Sequence, residues 1–302
     1  MSTGAEEPVG LHHRGRERGR EASRRGGLAS PPLRSFAPTA ASDLAGAFAD
    51  FRAALALPSL WLQLAREELR TRYRRTLIGM AWIGLSFALF ISVKMLVFRG
   101  MNEVPWRDFF VFITVGYLVW TFVQAMVIDG CHVFVSMERW ITGMPVPLSV
   151  FVFQSIARNV ASFLIAAPIA VAAIALAGRP PSLAWLAVPP ALLMLLVTGI
   201  GVHYVLGAVC TRNRDVAQIA STGVRVLFFL TPILWMPAQV GDAIGVLRFN
   251  PAMHYLDVVR DPLLYGEVRL VSWYVVIGCT LLSVALAVVA FAFARRRLVY
   301  WF

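Results

Sequence analysis

The chain has 302 residues, 58% of them hydrophobic and only 15% charged, well below the roughly 25% charged fraction of an ordinary soluble domain. Water is therefore not its main solvent. The formal net charge of +11 suggests nucleic acid only until it is mapped: eight of the 28 basic residues precede Arg66, and most others sit at the ends of apolar runs, the pattern of a membrane orientation signal. Cys131, Cys210 and Cys279 are too scattered for a disulfide framework, and the five histidines show no metal-ligand spacing, which excludes a stapled secreted scaffold and a zinc hydrolase motif.

Residues 1–41 are rich in Arg, Gly, Ser, Pro and Ala and nearly lack large apolar side chains. Such a segment cannot bury enough surface to offset the entropy of ordering, so a disordered cytosolic tail is expected. Residues 42–76 follow as cytosolic and interfacial amphipathic helices. Between Ser59 and Tyr73, Leu60, Trp61, Leu64, Ala65 and Leu69 recur at near-helical spacing while Glu67, Glu68, Arg70 and Arg72 fall largely elsewhere. This predicts a helix lying along a membrane surface, with Trp61, Leu64, Arg72 and Tyr73 as its interface residues. Glu68 and Arg72 are four apart in the favourable order.

The remaining chain, 77–302, contains apolar runs near 20 residues, the length of helix that crosses a ~30 Å hydrocarbon core. Six spans are predicted: Leu77–Phe98, Phe109–Cys131, Val150–Ala177, Leu183–Val209, Val216–Met236 and Val271–Ala294. The expected fold is an all-α polytopic membrane protein of six transmembrane helices, with an N-terminal amphipathic interface helix and short re-entrant helices between spans five and six. An even number of crossings puts both termini on one side. Eleven arginines then flank the spans on that side against six on the other, so the positive-inside rule places both termini in the cytosol.

Two connections exceed plain turns. The loop from His132 to Ser149 holds Met137-Glu138-Arg139-Trp140-Ile141 and then Gly143, Pro145 and Pro147, enough for a short helix closed by a turn. The loop from Pro237 to Leu270 is punctuated by Asn250-Pro251 and Asp261-Pro262, predicting two short helices that dip into the outer membrane edge under protein or water cover. Lys94, the sole lysine, is flanked by Val93 and Met95. A Walker A loop needs Gly before its Lys and Ser or Thr after it, so ATP hydrolysis has to come from another polypeptide.

At this point the sequence resembles a known family. Arg72-Tyr73-Arg74-Arg75-Thr76-Leu77-Ile78-Gly79, Gly116-Tyr117-Leu118-Val119-Trp120, Met144-Pro145-Val146-Pro147-Leu148-Ser149 and Arg214-Asp215-Val216 come first. Thr231-Pro232-Ile233-Leu234-Trp235, Asn250-Pro251, Arg260-Asp261-Pro262-Leu263 and Arg296-Arg297-Leu298-Val299-Tyr300-Trp301 complete the series. Their order and spacing, across residues 60–302, resemble the ABC-2 type permeases, most closely the branch that exports O-antigen or capsular polysaccharide.

The resemblance implies a non-enzymatic membrane subunit in a bacterial cytoplasmic (inner) membrane. Two copies would associate with two nucleotide-binding ABC ATPase subunits, with the channel between the permeases. The substrate would be a lipid-linked polysaccharide. The chain itself would hold no cofactor, ATP and Mg residing on the partner, and membrane lipids rather than nucleic acid would surround it. By position, Glu138, Arg139, Trp140 and Ile141 correspond to the helix that sits in a groove of the ATPase; an ordinary short loop with an interfacial tryptophan has the same composition.

Charges inside spans cost about 2.5–3.5 kcal/mol at a helix centre and need a reason. Arg225 lies near the midplane of span five, where it either meets the pyrophosphate of a lipid-linked substrate or pairs with a carboxylate or backbone carbonyls. Arg158 and Asp129 are expected as an ion pair. Phe87, Phe90, Lys94 and Phe98 follow one stripe of span one, which lines the channel with flat faces for sugar rings or packs against lipid and protein. Export of a teichoic acid, glycolipid or drug fits the same architecture. A glycosyltransferase would need a sizeable cytosolic domain, and an ion-coupled flippase internal repeats and more spans.

Overall fold

A computed structural model describes residues 40–98, 104–236, 244–247 and 249–301; the Arg-rich tail expected for 1–41 falls almost wholly outside them. The described residues are helical, without strands. In chain order the helices are α1 (Ala40–Leu55), α2 (Pro58–Tyr73), α3 (Ala81–Phe98), α4 (Trp106–His132), α5 (Glu138–Gly143) and α6 (Ser149–Leu176). There follow α7 (Val188–Arg212), α8 (Asp215–Leu230), α9 (Ile244–Leu247), α10 (Pro251–Leu264), α11 (Leu270–Ala294) and α12 (Leu298–Trp301), with 3-10 turns at Val135–Met137 and Leu183–Ala187.

Five segments are long and apolar enough to cross a membrane: α3, α4, α6, α7 with its preceding 3-10 turn, and α11. They match five of the six expected spans to within about four residues. The fifth expected span, Val216–Met236, is helical only as far as Leu230. Thr231 is extended, with φ −99° and ψ 135°, because the ring of Pro232 excludes the helical conformation from the residue before it. Sixteen residues rise about 24 Å, short of the ~30 Å apolar core.

α4 is the hub, packing against α6, α7, α8 and α10, while α7 packs along α11. In hydrocarbon there is little hydrophobic drive between helices, so close approach at small residues supplies the packing. α7 provides it: a Cβ on Gly201 would lie 2.9 Å from the backbone of Ser283 in α11, and one on Gly207 would lie 2.6 Å from Val133 after α4.

The two described ends of the chain meet at one end of the bundle. Arg295 and Arg296, after α11, reach Asp50 (3.5 Å) and Asp43 (3.1 Å) of α1. Asp50 also accepts the backbone N–H groups of Leu148 (3.1 Å) and Ser149 (2.9 Å) and the Ser149 hydroxyl (2.6 Å). It caps α6 from 99 residues away, satisfying donors that a helix start leaves open. Around this anchor Phe134, Ile141, Phe151, Phe291 and Leu298 form a core. α2 docks beside it, with Ala65 and Leu69 buried and Trp61 against Phe153 at 5.9 Å.

At the opposite end α10 lies buried on nearly every face. Asn250 caps it by accepting the Ala252 N–H at 3.0 Å, and Pro251 opens its first turn, where a missing N–H costs nothing. The Asp261-Pro262 pair does not divide this segment as expected; Pro262 sits inside the final turn of α10. Of the first expected short helix the described residues include only α9; residues 237–243 and 248 lie outside them.

Candidate functional site

Three places gather the residues singled out by sequence. The first is an aromatic seam joining α3, α4 and α8. Phe90 stacks on Tyr117 at 3.8 Å, Phe87 stacks on the same ring at 5.4 Å, and Phe228 stands edge-on to Phe90 and Tyr117 at 6.4 Å. Trp120 closes the group 5.6 Å from Phe228. The Lys94 ammonium lies 4.9 Å from the centre of Phe90, 5.5 Å from Phe98 and 6.0 Å from Phe228, a cation over ring faces where few other groups stabilise charge in a membrane. The stripe is thus not uniform: Phe87 is buried against α4, Phe90 and Lys94 lie beside Phe228 of α8, and Phe98 is partly covered. The sequence offers Tyr117 and Trp120 only as part of a family stretch and gives no sign of Phe228, because periodicity places residues on one helix face without revealing which helix lies opposite.

The second feature lies on α8. Asp215, Gln218, Thr222 and Arg225 are all exposed, at spacings of three, four and three that align them on one face. The other face carries buried Val224 and partly buried Leu227 and Phe228. Arg225 therefore heads a polar stripe on an otherwise apolar helix, and such stripes face water or a partner rather than lipid.

The third is a groove of about 560 Å³ between α2 and α5, lined among others by Leu64, Arg72, Met137 and Trp140. α5 is pinned by buried Ile141 and presents exposed Arg139 and Trp140, with Glu138 partly exposed. Of the residues expected at a membrane interface, Leu64 and Arg72 join Trp140 at this groove, Trp61 packs inward, and Tyr73 lines a separate cavity. Beneath the groove Arg158 is buried. It meets Asp129 of α4 at 2.8 Å, as expected, and also Glu68 of α2, whose i,i+4 partner Arg72 lies at 3.6 Å. Gln154 donates to Glu68 at 3.1 Å. One guanidinium thereby ties the amphipathic helix to α4 and α6.

At the opposite end Arg260 donates to the Pro232 carbonyl (2.7 Å) and to Asp257 (2.9 Å) and lies 4.0 Å over Phe112. Arg269 reaches Asp257 and Asp261 at 3.5 and 3.3 Å, and Arg179 pairs with Asp108 at 2.5 Å. Burial, reinforced by the neighbouring Asp257 carboxylate, pushes the Asp261 carboxyl up to about 6. Among the described residues, no group of three or more His, Cys, Asp or Glu is arranged to hold a metal ion.

No family model matches the chain. It is 22% identical over 212 residues, 70% of this chain and 82% of the relative, to an O-antigen export system permease protein RfbA of Klebsiella pneumoniae. A second such protein from that organism is 21% identical over 233 residues, 76% of this chain and 90% of the relative. The corresponding protein of Myxococcus xanthus is 26% identical over 197 residues, covering 64% and 75%. The resemblance read from the motifs thus extends over most of the chain: this is a multi-pass membrane protein similar to O-antigen export permeases.

Proposed function

We propose that the chain is the channel-forming permease of an ABC exporter that moves lipid-linked polysaccharide, of O-antigen or capsule type, out of the cytosol. The observation that carries this reading is the similarity to three O-antigen export permeases along most of the sequence. ATP and Mg belong to a separate nucleotide-binding subunit, two copies of each subunit assemble, and the chain resides in the inner membrane with both termini cytosolic.

Six crossings fit the contacts. Arg212 at the end of α7 lies 5.8 Å over Trp301, at the end where α1 and α11 meet. The Pro232 carbonyl just past α8 is bound by Arg260 at the other end. α8 therefore runs from one end of the bundle towards the other, which supports a sixth crossing although the helix alone is shorter than the apolar core. The exposed polar stripe headed by Arg225 suits a wet channel wall shared with a second copy, and the adjoining seam of Phe90, Tyr117 and Phe228 offers flat faces to sugar rings without a fixed hydrogen-bond pattern.

Trp140 and Arg139, displayed on a helix tied through Ile141 to the core, suit docking to the ATPase. Co-purification with the nucleotide-binding subunit tests this. The wild type is expected to retain that subunit and Trp140→Ala to lose it while keeping its own thermal stability. Equal retention by both would remove α5 from the coupling role, and no association by either would refute the exporter reading.

A further inference from the structure

Asp257 and Asp261 stand one turn apart on α10, 2% and 3% exposed, and share a single guanidinium. Arg269, just before α11, reaches Oδ2 of Asp257 with one nitrogen at 3.5 Å and Oδ2 of Asp261 with the other at 3.3 Å. Neither contact is an aligned hydrogen bond: both Oδ2 atoms are buried and lack a hydrogen-bond partner. Two buried carboxylates are thus held by charge alone, under an arginine whose side chain is 52% exposed. Like charges this close and this dry favour the uptake of one proton, which a carboxyl and a carboxylate can share as a short O–H···O bond.

Groups on every neighbouring element bear on this pair. On α10 itself Arg260 donates to Asp257 Oδ1 at 2.9 Å and to the Pro232 carbonyl at 2.7 Å, so one carboxylate already has a full partner. In the turn after α10, Tyr265 and Glu267 act on Asp261, Glu267 by repulsion. α4 brings Asp108, which Arg179 occupies at 2.5 Å, while Arg107 turns onto Trp106. α11 meets α10 at Ser272, 3.0 Å from His254, and α7 meets it at Thr198, 2.7 Å from Tyr255. The Leu183–Ala187 turn is apolar. Burial and the Asp257 carboxylate, which raise the Asp261 carboxyl, outweigh Arg269 and Arg260, which lower it. A proton on the pair therefore steadies α10 even as it weakens the hold on Arg269.

We propose that Asp257 and Asp261 form a proton-binding site in which one proton, bridging their Oδ2 atoms, takes the place of Arg269. At neutral pH both acids are ionised and Arg269 closes over them. With the proton bound the pair carries a single charge, matched by Arg260, and Arg269 swings free. Residues 265–271 are all exposed and Gly266 stands in the left-handed region at φ 66°, so the turn that carries Arg269 meets little resistance. Arg269 lines a cavity of about 370 Å³ together with both acids, and its release uncovers that cavity. The inference rests on α10 and its surroundings and not on glycan export.

The test uses the full chain in lipid nanodiscs at pH 7.5 and pH 5. Infrared difference spectra between the two should show a carboxylic-acid carbonyl band that Asp261→Asn removes. Hydrogen exchange in residues 265–269, with its intrinsic pH dependence divided out, should show protection about fivefold lower at pH 5, the size of an ion pair with a half-exposed partner, while α10 loses none. Asp261→Asn and Arg269→Gln should each hold the turn in its loose form at both pH values. Asp257→Asn removes the acid that repels the second charge and shares the proton, and should move the change in the turn to lower pH. Should that variant strand Arg260 and fail to fold, the other two variants and the infrared band decide. A turn equally protected at both pH values, a band untouched by Asp261→Asn, or an unmoved transition in folded Asp257→Asn overturns the proposal.

Discussion

Replacing Arg158 with methionine keeps the length of the side chain and removes the cation that joins three helices. The Arg158 side chain is 9% exposed, and its partners Glu68 and Asp129 are 26% and 24% exposed. Breaking a buried pair costs about 3–5 kcal/mol, chiefly through the charge left behind. Here water still reaches a quarter of each carboxylate, so the loss falls to about 2 kcal/mol. That loss concentrates on α2, which remains docked through Ala65 and Leu69 but loses its polar tie. An opening free energy lower by 2 kcal/mol raises amide exchange about 30-fold. Hydrogen–deuterium exchange in detergent or nanodiscs should show that acceleration across Pro58–Tyr73 and none in α10. Unchanged exchange in α2, or an equal rise in both helices, would refute the assignment of Arg158 as the local tie.

Asp50→Ala strips the cap from α6 and leaves the buried Leu148 and Ser149 N–H groups without their acceptor. A loss of about 1–3 kcal/mol is expected in chemical unfolding, with Asp50→Asn recovering part of it. Gly201→Leu forces a side chain into the backbone of Ser283; overpacking should cost about 1–3 kcal/mol and separate α7 from α11, read as accelerated exchange at their contact. For Asp261 the native carboxyl titrates near 6 against an ordinary 3.8, so the native state binds the proton more tightly. That contribution is complete below about pH 3.8 and disappears as pH rises through about 6, a swing of at most about 3 kcal/mol. Local protection in α10, with the intrinsic pH dependence of exchange divided out, should therefore be higher at pH 5 than at pH 7.5, and Asp261→Asn should flatten the difference.

The spans were legible because a bilayer admits few solutions: about 20 apolar residues per crossing, with arginines held at the ends. The shortened α8 was also within reach, since Thr231 precedes Pro232 and a pre-proline residue resists the helical state. Pro262 points the other way: α10 carries it inside its last turn despite the missing N–H, because burial of the helix on nearly every face outweighs the local cost. Asp50 could not have been found from sequence, because its partners lie 98 and 99 residues away and an isolated aspartate in an alanine-rich helix carries no periodic signal. The same blindness applies to Glu68, whose nearer partner Arg72 fits a familiar i,i+4 pattern and hides Arg158. The aromatic stripe of α3 shows the limit from another side. Phe87 and Phe90 share a helix face by spacing, yet the neighbouring helices bury one and leave the other at a seam.

Translocation itself offers the most direct measurement. Vesicles are to be reconstituted with the full chain, with or without its nucleotide-binding partner, and loaded from one side with radiolabelled lipid-linked glycan. Appearance of glycan on the other side should require both subunits and hydrolysable ATP, and Arg225→Ala should slow it without unfolding the chain. Equal movement by the chain alone, or movement indifferent to ATP, would contradict a permease driven by a separate ATPase.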